Sequence, residues 1–203
     1  MPREIEAKYR VETFEHVRRA VRAAGGEFLG RLLQTDTLFD RPDGALRASD
    51  QGLRLRRVRL LEGPGESEID LRPLLTYKGA RSETDASKSR REVQTHVDRP
   101  EVIEEILALG GLTPSFRLQK RRESYALGPC RIEMDELPMI GRFVEVEGPG
   151  EEQLADAART LCLAGEAITE SYFRLLAAEC RRVNRECVEV TFENCPDCGQ
   201  RET

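Results

Sequence analysis

The chain has no tryptophan among its 203 residues, only two histidines, and an aromatic content of 5%. Without an indole it lacks the broadest platform for stacking a base. His16 and His96 stand beside no nucleophile pattern, so no serine–histidine–aspartate chemistry is supported. Apolar runs of spanning length are also missing, and the start MPREIEAK lacks the apolar segment of a secretion signal. These absences predict a cytoplasmic protein with no membrane partner. The six cysteines are then expected as thiols or metal ligands, not as a disulfide framework. The formal charge of −5 argues against a nucleic-acid partner held by bulk attraction. Lysine is scarce too: only Lys8, Lys78, Lys88 and Lys120 occur among 32 basic residues, the rest being arginine. In such a chain a lysine tends to stand where an arginine fork would not fit.

What the chain has in plenty is charge, 34% of its residues, and that charge alternates with apolar residues. Side chains along a strand point to opposite faces in turn. In Glu4-Ile5-Glu6-Ala7-Lys8 the two carboxylates and the ammonium share one side. The same arrangement returns in Arg54 and Arg56, Thr76 and Lys78, Arg90, Glu92 and Gln94, Lys120 and Arg122, Arg131, Glu133 and Asp135, and Glu145 and Glu147. The run Arg54–Arg59 is therefore split between two faces and is not a nucleic-acid patch. Between these strands, helices are expected at 12–24, 99–109, 151–163 and 169–185. Further strands are expected at 27–40 and, briefly, 45–48, with loops at 62–70 and 80–88. The order lacks strict strand–helix alternation, so the fold is α+β with a largely antiparallel sheet. A simple sheet would expose its charged face to water, whereas a closed β-barrel with a polar lumen would turn it inward. The make-up of the charged faces favours the barrel.

Pooled, those faces give an acidic set, Glu4, Glu6, Asp135, Glu145 and Glu147 with Glu92 as a secondary candidate, and a basic set, Lys8, Arg54, Arg56, Lys78, Lys120 and Arg122. Adjacent carboxylates repel unless a cation lies between them, and oxygen-only ligands suit Mg²⁺ or Mn²⁺. Lysine and arginine neutralise the phosphate oxygens that remain. Both sets together are what a metal–polyphosphate complex requires.

Glu4-Ile-Glu-Ala-Lys8 resembles the E-x-E-x-K signature of the CYTH, or triphosphate tunnel metalloenzyme, superfamily. The likeness continues, in the family's order, through Gln34–Asp40, Leu53–Arg56, Leu75–Gly79, Ser89–Glu92, Lys120–Arg122, Asp135 and Gly141–Glu147, and Ser171–Leu176 resembles the family's closing helix. The Gln34–Asp40 block and that last helix look most like the class IV adenylyl cyclase branch. The resemblance implies an eight-stranded antiparallel tunnel over residues 1–185, holding a triphosphate with two divalent ions. In it Glu4, Glu6, Asp135, Glu145 and Glu147 would be metal ligands, and Lys8, Arg54, Arg56, Lys78, Lys120 and Arg122 would hold phosphates. Gln94 departs from the pattern, standing where many members carry a second glutamate after Glu92. The activity implied is cyclisation of ATP to cyclic AMP and pyrophosphate. The alternative is hydrolysis of inorganic triphosphate, a nucleoside triphosphate or thiamine triphosphate, the last disfavoured by the missing tryptophan. A non-catalytic polyphosphate or nucleotide module ranks below both. Tyr77 and Phe39 are candidate neighbours of a base, although such residues more often pack in a core.

The tail, residues 186–203, carries Cys195-Pro-Asp-Cys198-Gly199, which reads as half of a structural Zn²⁺ site. Cys180 and Cys187, or a second chain in a homodimer, could complete it; free thiols are the other reading. Cys130 and Cys162 are expected in the core.

Overall fold

Two long strands, β2 (Glu27–Asp40) and β6 (Thr113–Leu127), carry the sheet. The computed structural model describes residues 5–63, 71–81 and 90–195. Its other strands are β1 (Ile5–Val11), β3 (Gly52–Glu62), β4 (Leu74–Arg81), β5 (Arg90–His96), β7 (Cys130–Leu137), β8 (Gly141–Gly148) and the short β9 (Glu189–Val190). The helices are α1 (Glu15–Ala23), α2 (Ala45–Ala48), α3 (Pro100–Leu109), α4 (Glu151–Thr160) and α5 (Tyr172–Arg182). The strand order is β1-β8-β7-β6-β2-β3-β4-β5, antiparallel throughout, with β9 added parallel to the start of β6.

The expected closed eight-stranded barrel is corrected here: among the described residues β1 and β5 do not pair, and the sheet is open by hydrogen bonding. The free edge of β1 is taken instead by the approach to α5, where Ile168 N–H donates to the Lys8 carbonyl at 2.7 Å. At the other edge, Arg91–His96 of β5 are all exposed, and among the described residues no strand pairs with that edge. A second correction concerns 45–48, which form a helical turn. The buried Asp40 carboxylate accepts from the backbone N–H groups of Arg41, Leu46 and Arg47 at 2.7–3.1 Å, satisfying donors that a strand would have spent on a ladder.

The apolar residues of the strands pack on the outer face. Helix α1 puts Val17 and Val21, one turn apart and fully buried, against Tyr125, Ile132, Met134, Val144 and Val146, with Leu154 and Leu161 from the α4 region beside them. The helix ends where the Gly26 N–H reaches back to the Val21 carbonyl at 2.8 Å. A Cβ at Gly26 would lie 2.4 Å from Val21 Cγ1, so glycine is required for that approach. Helix α3 covers β3 and β4 through Ile103 and Leu107. Helix α5 differs: it packs on Phe116, Leu118, Leu137 and Phe143, which lie on the opposite, inner face at one end of the sheet. No helix among the described residues is long and apolar enough to cross a membrane.

On the outer face Glu123 ties α1 to the sheet. Its carboxylate accepts from Arg18 at 2.8 and 2.9 Å, Arg31 at 3.0 Å and the Tyr125 hydroxyl at 2.8 Å. Burial opposes its charge, but the hydrogen bonds from Arg18, Tyr125 and Arg31 prevail and bring its pKa down to about 2. A depressed carboxylate pKa stabilises the fold above the unfolded-state value of 4.5, and that stability is lost as pH falls toward 2. Glu123→Gln should therefore cost about 2–4 kcal/mol at pH 7. In urea melts the gap from wild type should narrow between pH 4.5 and 2; a gap constant with pH would contradict this.

Candidate active site

Directly paired residues of an antiparallel sheet share a face, so the register fixes where each candidate points. Lys8 pairs with Glu145 and Glu6 with Glu147. Glu145 pairs with Glu133, and Arg122 with Asp135. Across β2 and β3, Lys120 pairs with Gln34 and Asp36 with Arg56. Arg54 pairs with Thr76, and Lys78 with Glu92. Every described member of the two charged sets thus lies on the inner face. Glu4 falls outside the described residues.

On that face Lys8, Lys120, Arg122, Asp135 and Glu145 are buried, Arg54, Arg56, Lys78 and Glu147 are half-buried, and Glu6 and Glu92 are exposed. Among the described helices it is α5 that packs there. Asp135 is 0% exposed, Lys120 3% and Glu133 3%. Arg122 is the hub. Its guanidinium donates to Asp135 at 2.7 and 2.6 Å and to Glu145 at 2.5 Å, with Glu133 at 3.7 Å. Lys120 donates to Asp135 at 2.8 Å, and Lys8 lies 3.1 Å from Glu145. Burial opposes the charge on Arg122, but Asp135 and Glu133 outweigh it and raise its pKa well above the usual value. Burial likewise opposes ionisation of Asp135, and Arg122 and Lys120 prevail, holding its carboxyl far below the ordinary range. Lys120 is pulled the other way: burial and then the Arg122 charge lower its pKa. It is an ammonium held cationic by its carboxylates.

In a second group on β2 and β3, Arg54 and Arg56 were expected but Asp36 escaped the sequence reading. Asp36, 5% exposed, accepts from Arg56 at 2.7 Å through both oxygens and from Arg54 at 3.4 Å. It sits in the Gln34–Asp40 block, and its strand parity with Gln34 would have placed it on this face. Glu133 was likewise passed over beside Asp135. Its carboxylate accepts from the Ser124 hydroxyl. Several buried polar atoms here have no hydrogen-bond partner: Gln34 Oε1, Arg54 Nε and Thr76 Oγ1. In a native interior such atoms point to a ligand or ordered water.

Toward the end of the face away from α5, carboxylate oxygens of Glu6, Glu145 and Glu147 lie within 4.8 Å of one another. Burial comes first in raising Glu147 to about 7; Arg122 opposes it, and Glu133, Glu145 and Glu6 add to it. Crowded like charges of this kind are relieved by a divalent cation, and an all-carboxylate donor set fits Mg²⁺ or Mn²⁺. The residues present therefore fit the expected metal.

Other candidates lie apart. Lys78 and Glu92 face the same way but pair with each other at 3.0 Å, about one-third exposed, near the β5 edge. Tyr77 and Phe39 do not reach the inner face; both pack in the outer core, and the Tyr77 hydroxyl donates to Gln51 at 2.6 Å. Completion of a zinc site by Cys180 and Cys187 is overturned. Cys180 and Cys187 form a disulfide, brought together (Cα–Cα 6.1 Å) as the chain reverses after α5 at Asn184, whose φ is +53°. This also corrects the expectation that the cysteines are thiols or metal ligands. Cys195 is a buried free thiol, and Cys198 lies outside the described residues. Cys130 is buried as expected, but Cys162 is exposed.

With this geometry in view, the likenesses to known proteins are informative. The model of the CYTH domain matches residues 2–171. A Methanocaldococcus jannaschii protein is 25% identical over 144 residues, 71% of this chain and 75% of its own. A Vibrio parahaemolyticus structure superposes with a TM-score of 0.71 at 21% identity, covering 86% of this chain and 97% of that one. Both are named "putative adenylate cyclase". A Hippeastrum protein named "putative adenylyl cyclase", and described as having a dominant triphosphatase activity, matches with a TM-score of 0.62 at 16% identity over 91% of this chain and 97% of that one. Below 25% identity such likeness speaks for the fold alone. The domain match spans most of the sequence, and the charges it gathers are those of the inner face: the chain belongs to the CYTH domain family.

Proposed function

We propose that the chain is a divalent-metal-dependent enzyme acting on a triphosphate held along the inner face, and that it hydrolyses it. The observation that carries this reading is the buried convergence of Lys8, Lys120 and Arg122 on Asp135 and Glu145, beside the Glu6–Glu145–Glu147 cluster. Glu6, Glu145 and Glu147, with Glu4, Asp135 and Glu133, would hold Mg²⁺ or Mn²⁺. A bound divalent cation supplies charge neutralisation along the phosphate chain. Lys8, Lys120, Arg122, Arg54 and Arg56 take the phosphate oxygens, and Asp36 keeps the two β3 arginines oriented. Lys78 and Glu92 stand further out, near the β5 edge. In hydrolysis water attacks the terminal phosphorus, the bridging P–O bond breaks, and diphosphate leaves from inorganic triphosphate. The cations stabilise the charge that develops on the leaving oxygen.

Hydrolysis is preferred to cyclisation because Tyr77 and Phe39, the aromatic candidates for a base, face away from the cavity. Cyclisation of ATP remains the second reading, favoured by the names of the archaeal and Vibrio relatives. Incubation with inorganic triphosphate, ATP or thiamine triphosphate in Mg²⁺ or Mn²⁺ separates the cases. Orthophosphate from inorganic triphosphate, abolished by EDTA, is the expected result. Cyclic AMP with pyrophosphate from ATP would favour the second reading. Binding without product would leave a non-catalytic module, and no binding at all would refute the assignment.

A further inference from the structure

The end of the inner face where Leu118, Phe143 and Leu137 replace charged residues is closed by α5. The chain reaches it through Ile168, bonded to β1, and Lys8 Nζ donates to the Glu170 carbonyl at 3.1 Å just before the helix begins. Tyr172 is the first residue of α5. Its ring lies 4.2 Å from Lys8 Nζ and 5.0 Å from Lys120 Nζ, and rests edge-on against Phe143 at 5.2 Å between centroids. The side chain is 8% exposed, yet its hydroxyl has no hydrogen-bond partner. The Asp135 carboxylate lies close enough to act on the phenol, but it already accepts three hydrogen bonds from Lys120 and Arg122, and its approach to the hydroxyl falls short of hydrogen-bond geometry.

A phenylalanine would fill this space and make the same ring contacts. A buried hydroxyl left unpaired costs about 1–3 kcal/mol, so its presence between two phosphate-seeking ammonium groups points to a partner that comes with the substrate. Burial, then the charges on Asp135 and Glu145, push the phenol well above its usual pKa, so it is a donor and not an anion. The helix begins at the same place, and its positive end favours an anion there.

We propose that Tyr172 is a substrate-binding residue whose O–H donates to an oxygen of the terminal phosphate, seating that phosphate against α5 between Lys8 and Lys120. The phosphate chain then runs from α5 toward the Glu6–Glu147 end, and any nucleoside or other substituent lies at that open end. This orientation rests on the triphosphate reading above and adds its polarity.

The test is calorimetric titration of inorganic triphosphate in Mg²⁺ into wild type, Tyr172→Phe and Phe173→Leu. Phe173 belongs to the same helix but packs edge-on against Phe116 at 5.1 Å, so its variant loosens α5 without touching the phenol. Tyr172→Phe should bind about ten- to a hundredfold more weakly, the worth of one hydrogen bond to a charged group, with an unchanged or higher melting temperature. In turnover the loss should fall on KM and leave kcat nearly as it was. Phe173→Leu should melt lower and bind as wild type does. Equal affinity of Tyr172→Phe and wild type overturns the proposal and leaves the triphosphate reading standing. Equal weakening in both variants overturns it too, because packing alone would then explain the loss. Failure of wild type to bind refutes the underlying reading itself.

Discussion

Asp135→Ala is expected to destabilise the fold by about 3–5 kcal/mol, the range for stripping one partner from a buried ion network. The carboxylate is 0% exposed and accepts from Lys120 and Arg122 through three hydrogen bonds of 2.6–2.8 Å. Without it two buried cations must share Glu145, already engaged by Lys8, and the more distant Glu133. Lys120 should yield first. Burial and Arg122 already lower its pKa, so on losing Asp135 it sheds its proton more readily than it stays charged. Asp135→Asn keeps the shape and one acceptor but not the charge, and should fall between alanine and wild type. Urea denaturation at pH 7 measures both. Saturating inorganic triphosphate should recover part of the loss, since a ligand bound to the native state alone stabilises it by mass action. A cost below about 1 kcal/mol, the worth of an exposed pair, would mean that water and not Asp135 balances these cations.

The network is also what made the sequence readable. A period of two puts Glu6 and Lys8 on one side, and the observed register of β1 against β8 carries both to the inner face. The same parity places Lys120, Arg122, Glu145 and Glu147 correctly, because side-chain alternation along a strand survives any curvature of the sheet. Closure was not readable in this way. Whether two edges meet depends on what else competes for them, and the edge of β1 is taken by Ile168, which no periodicity reveals. Nor does parity show that α5 packs inside the sheet while α1, α3 and α4 pack outside, since an amphipathic helix fits either an apolar outer face or the apolar end of a polar one. Tyr172 was hidden for that reason. The 45–48 segment failed differently: its helical turn is imposed by the distant carboxylate of Asp40. Cys180 and Cys187 were one way to complete a site with the CxxC that follows them, whereas the reversal at Asn184 pairs them with each other.

Glu147→Gln should move stability and activity in opposite directions. In the wild-type chain the Glu147 carboxylate is partly buried, and Glu133, Glu145 and Glu6 crowd it with like charge. Glutamine keeps the volume and removes the charge. In EDTA the variant should be more stable by about 1–2 kcal/mol, the scale of a desolvated charge relieved at a half-covered site. Activity on triphosphate should fall at least about a hundredfold, because the lost carboxylate is one the cation needs where phosphate charge develops. Adding Mg²⁺ or Mn²⁺ should then reverse the order of stability: the wild type gains by mass action and the variant gains little. Melting curves of both proteins with and without the metal test this directly. If the wild type is the more stable in EDTA and both shift equally with metal, then Glu6, Glu145 and Glu147 merely share a rim. If the curves cross, these crowded carboxylates are kept, at a cost to the fold, for the cation that joins them to the phosphate chain.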